Sequence, residues 1–137
     1  MRIVIDTNVL ASALFFGGKP AKLLRLVLMQ TISAVATEEI MAEYRSTIEY
    51  LLQKYATSNV SSSFDPILSV IEIIPARSRV NVCRDPDDDK FISCAIDGQC
   101  YYIVSGDKDL LSLRERQQIK IVTVSEFLDI LRIQNRS

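Results

Sequence analysis

The sequence predicts an α/β fold, a three-layer α/β/α sandwich around a central, mainly parallel sheet. Three observations carry this expectation. Ile3-Val4-Ile5 is an unbroken β-branched apolar run, the pattern of a strand buried on both faces. Segments with helical spacing of apolar residues alternate with such runs along the chain, which implies βαβ units with helices on both faces of a parallel sheet. The chain has 137 residues, 48% of them hydrophobic, enough for the core of one domain spanning residues 1–137.

The elements follow in order. The strand Ile3–Ile5 stops at Asp6, at its C-terminal end, where ligands bind in open α/β sheets. Thr7 and Asn8 are short polar residues suited to cap a helix beginning near Val9, which Gly17-Gly18 ends. Pro20 fits the first turn of a second helix with Leu23, Leu24, Val27 and Leu28 as its apolar face. Ile32 to Ala36 reads as a strand. Thr37 caps a long helix whose first turn carries Glu38 and Glu39, favourable at the positive end of the helix dipole. Ile40, Met41, Tyr44, Ile48, Leu51, Leu52 and Tyr55 form its buried stripe. Asn59 to Ser63 is a polar break read as a loop. Pro66 opens a helical turn, and Ile71 to Ile74 is a brief strand stopped by Pro75. Asp85-Pro86 starts a helix with Phe91, Ile92, Ala95 and Ile96 on its apolar face, ended by Gly98. Tyr101 to Val104 is a buried strand running into Ser105-Gly106-Asp107. Ile119 to Val122 is the last strand. Thr123 and Glu126 make a capping box for a final helix over Phe127–Ile133.

Composition narrows the chemistry. The net charge is -1, so any nucleic-acid contact rests on local basic patches or bound metal. No apolar run approaches the length of a membrane span, and Met1-Arg2 leads directly into a strand, so a cytoplasmic protein with no signal peptide is expected. Cys83, Cys94 and Cys100 are odd in number and contain no C-x-x-C pair, consistent with free thiols. The chain contains no histidine, which removes Ser-His-Asp and Cys-His catalysis and His-ligated zinc.

Carboxylates remain. A parallel sheet gathers the C-terminal strand ends, and Asp6 and Asp107 stand at two of them, with the Asp85–Asp89 cluster opening the helix before the second. Converging carboxylates repel and are costly to bury, and a divalent cation offsets that cost. Mg²⁺ and Mn²⁺ take oxygen ligands, and Mg²⁺ keeps several waters. Each acid also has a plainer role. Asp85 before Pro86 suits a cap, Asp87 and Asp88 suit a first helical turn, and Asp109 suits a helix start. Asp89 lies close enough to the apolar face to point inward. A calcium loop beginning at Asp85 fails, since its sixth position is Lys90 and its twelfth Ile96. A haloacid-dehalogenase-type phosphatase needs an acid where Asn8 stands.

The chain resembles the PIN-domain family. Ile5-Asp6-Thr7-Asn8-Val9-Leu10 is similar to that family's first motif. Asp85-Pro86-Asp87-Asp88-Asp89-Lys90-Phe91 and Ile103-Val104-Ser105-Gly106-Asp107-Lys108-Asp109-Leu110 resemble its third and fourth. The match runs from Arg2 to about Leu131 and is nearest to the VapC-like ribonucleases, toxin components of type II toxin–antitoxin pairs. The resemblance implies a PIN-like sandwich and an Mg²⁺- or Mn²⁺-dependent endoribonuclease acting on single-stranded RNA. Residue by residue, it implies catalytic acids at Asp6, Glu43, Asp89 and Asp107. Asp6, Asp89 and Asp107 would hold one cation with Glu43 assisting directly or through water, and Asn8 and Ser105 would orient water or the acids. In-line attack of water would leave a 5′-phosphate and a 3′-hydroxyl. Lys19, Lys22 and Arg25, with Arg77, Arg79 and Arg84, are candidate RNA-phosphate contacts. An antitoxin protein and a homodimer through Leu23–Met29 are the expected partners. The competing class is a PIN-like domain that binds RNA or protein with little turnover. A structure-specific DNA nuclease ranks below both, because the chain is short.

Overall fold

The computed structural model describes residues 1–55 and 64–134, so the polar break at Asn59–Ser63 lies outside the described residues. In chain order the elements are β1 (Arg2–Ile5), α1 (Thr7–Phe15), α2 (Gly18–Leu28), β2 (Ser33–Ala36), α3 (Glu38–Lys54), α4 (Phe64–Val70), β3 (Glu72–Ile73), α5 (Asp89–Asp97), β4 (Tyr102–Val104), α6 (Lys108–Leu111), β5 (Glu115–Arg116), β6 (Ile119–Val122) and α7 (Val124–Gln134). A 3-10 turn at Pro86–Asp88 leads into α5.

The strands form one sheet in the order β3-β2-β1-β4-β6-β5. All neighbours are parallel except β5, which runs antiparallel to β6. Successive residues Ile3, Val4 and Ile5 are at most 1% exposed, so both faces of the central strand are covered, as a three-layer α/β/α sandwich requires. The largest fully buried side chains are Tyr44 on α3, Phe91 on α5 and Phe127 on α7. The chain builds outward from β1 through β2 to β3, then crosses back to place β4 on the other side of β1. Strand order therefore reverses between β1 and β4. The connections leaving those two strands diverge and open a crevice at their C-terminal ends.

Several sequence expectations shift by a turn or less. α1 begins at Thr7, not near Val9, because extended Asp6 occupies the cap position and its carbonyl accepts from the N–H groups of Val9 and Leu10. Thr37 does cap α3, its hydroxyl accepting from Ile40 N–H at 3.3 Å. α7 starts at Val124, three residues earlier than expected, behind a reciprocal box. Thr123 N–H donates to Glu126 at 2.9 Å and Glu126 N–H to Thr123 Oγ1 at 3.1 Å.

Two differences are larger. Leu23, Leu24 and Val27 are buried in the core, whereas Leu28 and Met29 are exposed, so Leu23–Met29 is not a continuous surface patch for a homodimer. The stripe that made it look like a patch is the helix's inward face. The edge strand β5 is absent from the sequence expectation. Both of its residues are exposed and charged, and its turn into β6 uses Gln117 (φ 49°) and Gln118 (φ 69°), not the Asn-Gly or Asp-Gly that signals such a turn.

Candidate active site

Asp6 leaves the end of β1 with its N–H bonded to the Val104 carbonyl of β4 at 2.9 Å. This main-chain link fixes one strand end against the other. The next residue after β4, Ser105, is fully buried. Its hydroxyl donates to Asp6 Oδ2 at 2.6 Å and accepts from Asp107 N–H at 3.0 Å. One serine thus joins the two acids that the sheet brings together. Asp107 caps α6, its Oδ1 accepting from Asp109 N–H at 3.1 Å, so Asp109 is a first-turn residue.

A further acid, Asp88, ends the 3-10 turn. Burial, the neighbouring Asp107 carboxyl, and the charges of Asp85 and Asp6 push its carboxyl up to about 7. Asp6 is also raised. Burial drives the shift, the Ser105 hydroxyl and Asn8 N–H oppose it, and the charges of Asp107 and Glu43 add to it. These directions describe acids placed near one another that lack a balancing cation. Among the described residues, no Lys or Arg forms an ion pair with Asp6, Asp88 or Asp107.

Asp89, the acid expected to complete the cluster, is engaged by the main chain through one of its oxygens. Its Oδ1 accepts from Val82 N–H at 3.0 Å and Cys83 N–H at 2.8 Å. Burial would raise its carboxyl, but these donors outweigh it and hold the group below its ordinary value. Asp89 therefore pins the segment ahead of the 3-10 turn onto α5. Asp85 has the expected capping role, accepting from Asp87 N–H at 3.0 Å.

Glu43 faces the same crevice from α3. Its register is fixed by its neighbour Tyr44, whose buried hydroxyl donates to the Ile5 carbonyl at the end of β1. One Glu43 oxygen accepts from the Thr7 hydroxyl, and the other lies 2.7 Å from Lys90 Nζ. Burial would lower the Lys90 ammonium, but its bonds to Glu43 and Asp87 raise it above its ordinary value. Thr7 is thus a ligand of Glu43 and not a helix cap.

The donor set suits a hard divalent cation. It offers carboxylates and a hydroxyl, without histidine, and the three cysteines are buried free thiols. Among the described residues, no three such side chains already stand in a ready-made metal cage. Asp6, Asp88 and Asp107 could hold an ion with few protein ligands, water completing the shell, a habit of Mg²⁺.

Asn8, Lys19, Ser105 and Asp107 line an open recess of about 550 Å³ beside the acids. Lys19 reaches across it, its Nζ donating to Ser125 Oγ at 3.1 Å. Lys22 and Arg25 line an adjoining groove with Leu128 and Arg132 of α7. Arg77 and Arg79 belong to a separate recess with Thr37 and Lys90, and Arg84 is exposed just before the 3-10 turn. Sequence reasoning missed Lys90, because a lysine in an acidic run reads as solvated. It read Asp87 and Asp88 as first-turn acids, and both stand in the 3-10 turn.

The chain is 34% identical over 141 aligned positions to an uncharacterized protein, MJ1680, of Methanocaldococcus jannaschii, covering 94% of this chain and 90% of that one. Among solved structures, VapBC2 from Rickettsia felis, crystallised with a DNA fragment from its promoter, is similar in fold. Its TM-score is 0.57 at 16% identity, over 88% of this chain and 97% of that chain. The family model described as the PIN domain matches residues 2–109, from β1 through the turn after β4 that carries Asp107, and the chain belongs to that family.

Proposed function

We propose that the protein is an Mg²⁺- or Mn²⁺-dependent endoribonuclease of single-stranded RNA and the toxin of a type II toxin–antitoxin pair, working in the cytoplasm. The observation that carries the reading is the meeting of Asp6 and Asp107 on Ser105 at the reversal of strand order, with the Asp88 carboxyl near Asp107. Family membership and the fold shared with VapBC2 support it, and that neighbour's toxin–antitoxin name is the ground for expecting an antitoxin partner.

In this reading Asp6, Asp88 and Asp107 hold the cation. A divalent ion so held makes water more acidic and offsets charge on a phosphoryl oxygen. Ser105 fixes the spacing of Asp6 and Asp107 through its two hydrogen bonds. Glu43, paired with Lys90 and Thr7, adds negative charge beside Asp6 without being free to turn. Asn8 borders the recess where the RNA strand would lie. Lys19 sits within phosphate reach of that recess, and Lys22 and Arg25 continue the basic track along α2. Arg84 lies apart from this groove.

Cleavage of labelled single-stranded RNA by the purified protein tests the proposal. With Mn²⁺ or Mg²⁺ the wild type is expected to cut, leaving 5′-phosphate and 3′-hydroxyl ends, and both EDTA and Asp6→Asn are expected to abolish cutting. Cyclic-phosphate ends would refute the mechanism. Equal residual cutting by wild type and Asp6→Asn would mark contamination and move the partner-binding reading ahead.

A further inference from the structure

We infer that Lys90 serves as a built-in cation that keeps Glu43 out of metal ligation, so that the acid cluster holds a single divalent ion. The inference rests on the metal-binding reading above and specifies its stoichiometry.

Lys90 stands in the first turn of α5, two residues after Asp88. Its side chain is only 8% exposed. Burying an ammonium is costly unless partners replace the lost water. Here the partners are complete. Nζ lies 2.7 Å from Glu43 Oε1 and 3.0 Å from Asp87 Oδ1, and donates to the Asp87 carbonyl at 2.9 Å. These account for the three donors of an ammonium group. Lys90 therefore has no donor left for an RNA phosphate.

The arrangement also occupies Glu43. One oxygen is against Lys90 and the other accepts from Thr7. Of the four acids facing the crevice, Glu43 already has its positive charge, whereas Asp6, Asp88 and Asp107 do not. A divalent ion moving onto Glu43 would have to displace Lys90 or sit beside it as a like charge, an unfavourable contact in a partly buried site. Lys90 is a positioning residue in this scheme, acting through Glu43 and touching neither substrate nor metal.

Mn²⁺ titration by calorimetry on the full, metal-free chain tests the inference. The wild type is expected to bind one ion. Lys90→Met keeps the apolar stem and removes the charge, and is expected to bind two. The double variant Lys90→Met with Glu43→Gln is expected to return to one. Glu43→Gln alone, in a protein that keeps Lys90, is expected to retain its single ion. Loss of the ion in that variant would overturn the inference even if Lys90→Met fails to fold by circular dichroism. A merely structural salt bridge would change the melting temperature and leave the count of ions at one throughout. One ion in folded Lys90→Met, or loss of the ion in Glu43→Gln, would overturn the inference. Two ions in the wild type would overturn it while leaving the proposed function standing, and no ion in the wild type would refute both.

Discussion

Asp88 and Asp89 are neighbours in sequence with opposite surroundings. Burial and the nearby Asp107 carboxyl push the Asp88 carboxyl up, whereas Asp89 accepts from two backbone N–H groups. Removing charge from the first should relieve repulsion, and removing the acceptor from the second should leave buried donors unpaired. Asp88→Asn is therefore expected to keep or raise the melting temperature while losing Mn²⁺ affinity and RNA cleavage. Asp89→Ala is expected to lower unfolding free energy by about 1–3 kcal/mol in urea titration and to keep Mn²⁺ binding. The reverse pattern would return Asp89 to the cluster. Asp6 and Asp107 were legible as site candidates because each follows a strand, whereas Glu43, one of several acids on its helix, was proposed only through the family resemblance. The different surroundings of Asp88 and Asp89 were not legible. They come from Val82 and Cys83, whose N–H groups need an acceptor that no local pattern announces.

At the scale of elements, helix ends show which residue solves which problem. Gly98 was expected to stop α5, as glycine does by adopting positive φ. It has φ -86°, and the left-handed position falls to Gln99 at φ 54°, closing the helix through Cys100 N–H to the Ala95 carbonyl at 2.9 Å. Gly98 is needed for space. A Cβ there would lie 3.0 Å from Val35 Cγ2 and 3.1 Å from Ile74 Cδ1. Gln99→Gly is expected to stabilise the protein by about 0.5–1 kcal/mol, the relief of left-handed strain less the added chain entropy of glycine. Gly98→Ala is expected to destabilise by about 1–3 kcal/mol through overpacking. Chemical denaturation of the two variants reads both signs, and a stabilised Gly98→Ala would show that the neighbouring side chains yield freely. Periodicity located α2, α3 and α5 well, because burial of one stripe is written in composition. It left out β5, whose two exposed charged residues and Gln-Gln turn carry no strand signal.

At the scale of the molecule, the layered α/β arrangement was readable from alternation alone, but the order of strands was not. Placing β4 beside β1 is a choice among pairings distant in sequence, and that choice brings Asp107 to Asp6. The site is therefore a product of the whole fold, and an ion bound there should stabilise the whole fold. Mn²⁺ at about a hundredfold excess over its dissociation constant is expected to add about 2.7 kcal/mol, roughly 10 °C in melting temperature. Asp6→Asn should abolish the shift, and an equal shift in that variant would place the ion elsewhere. The finished sheet has a further property. Each of its two rims is a strand of only two residues, Glu72–Ile73 on one side and Glu115–Arg116 on the other, all four exposed. So short a rim gives an incoming chain little backbone to hydrogen-bond, and an approaching strand would meet Glu72 on one side and Glu115 and Arg116 on the other. The sheet is in effect self-terminating, and another polypeptide gains a durable hold on the molecule through its helices, not by lengthening its sheet.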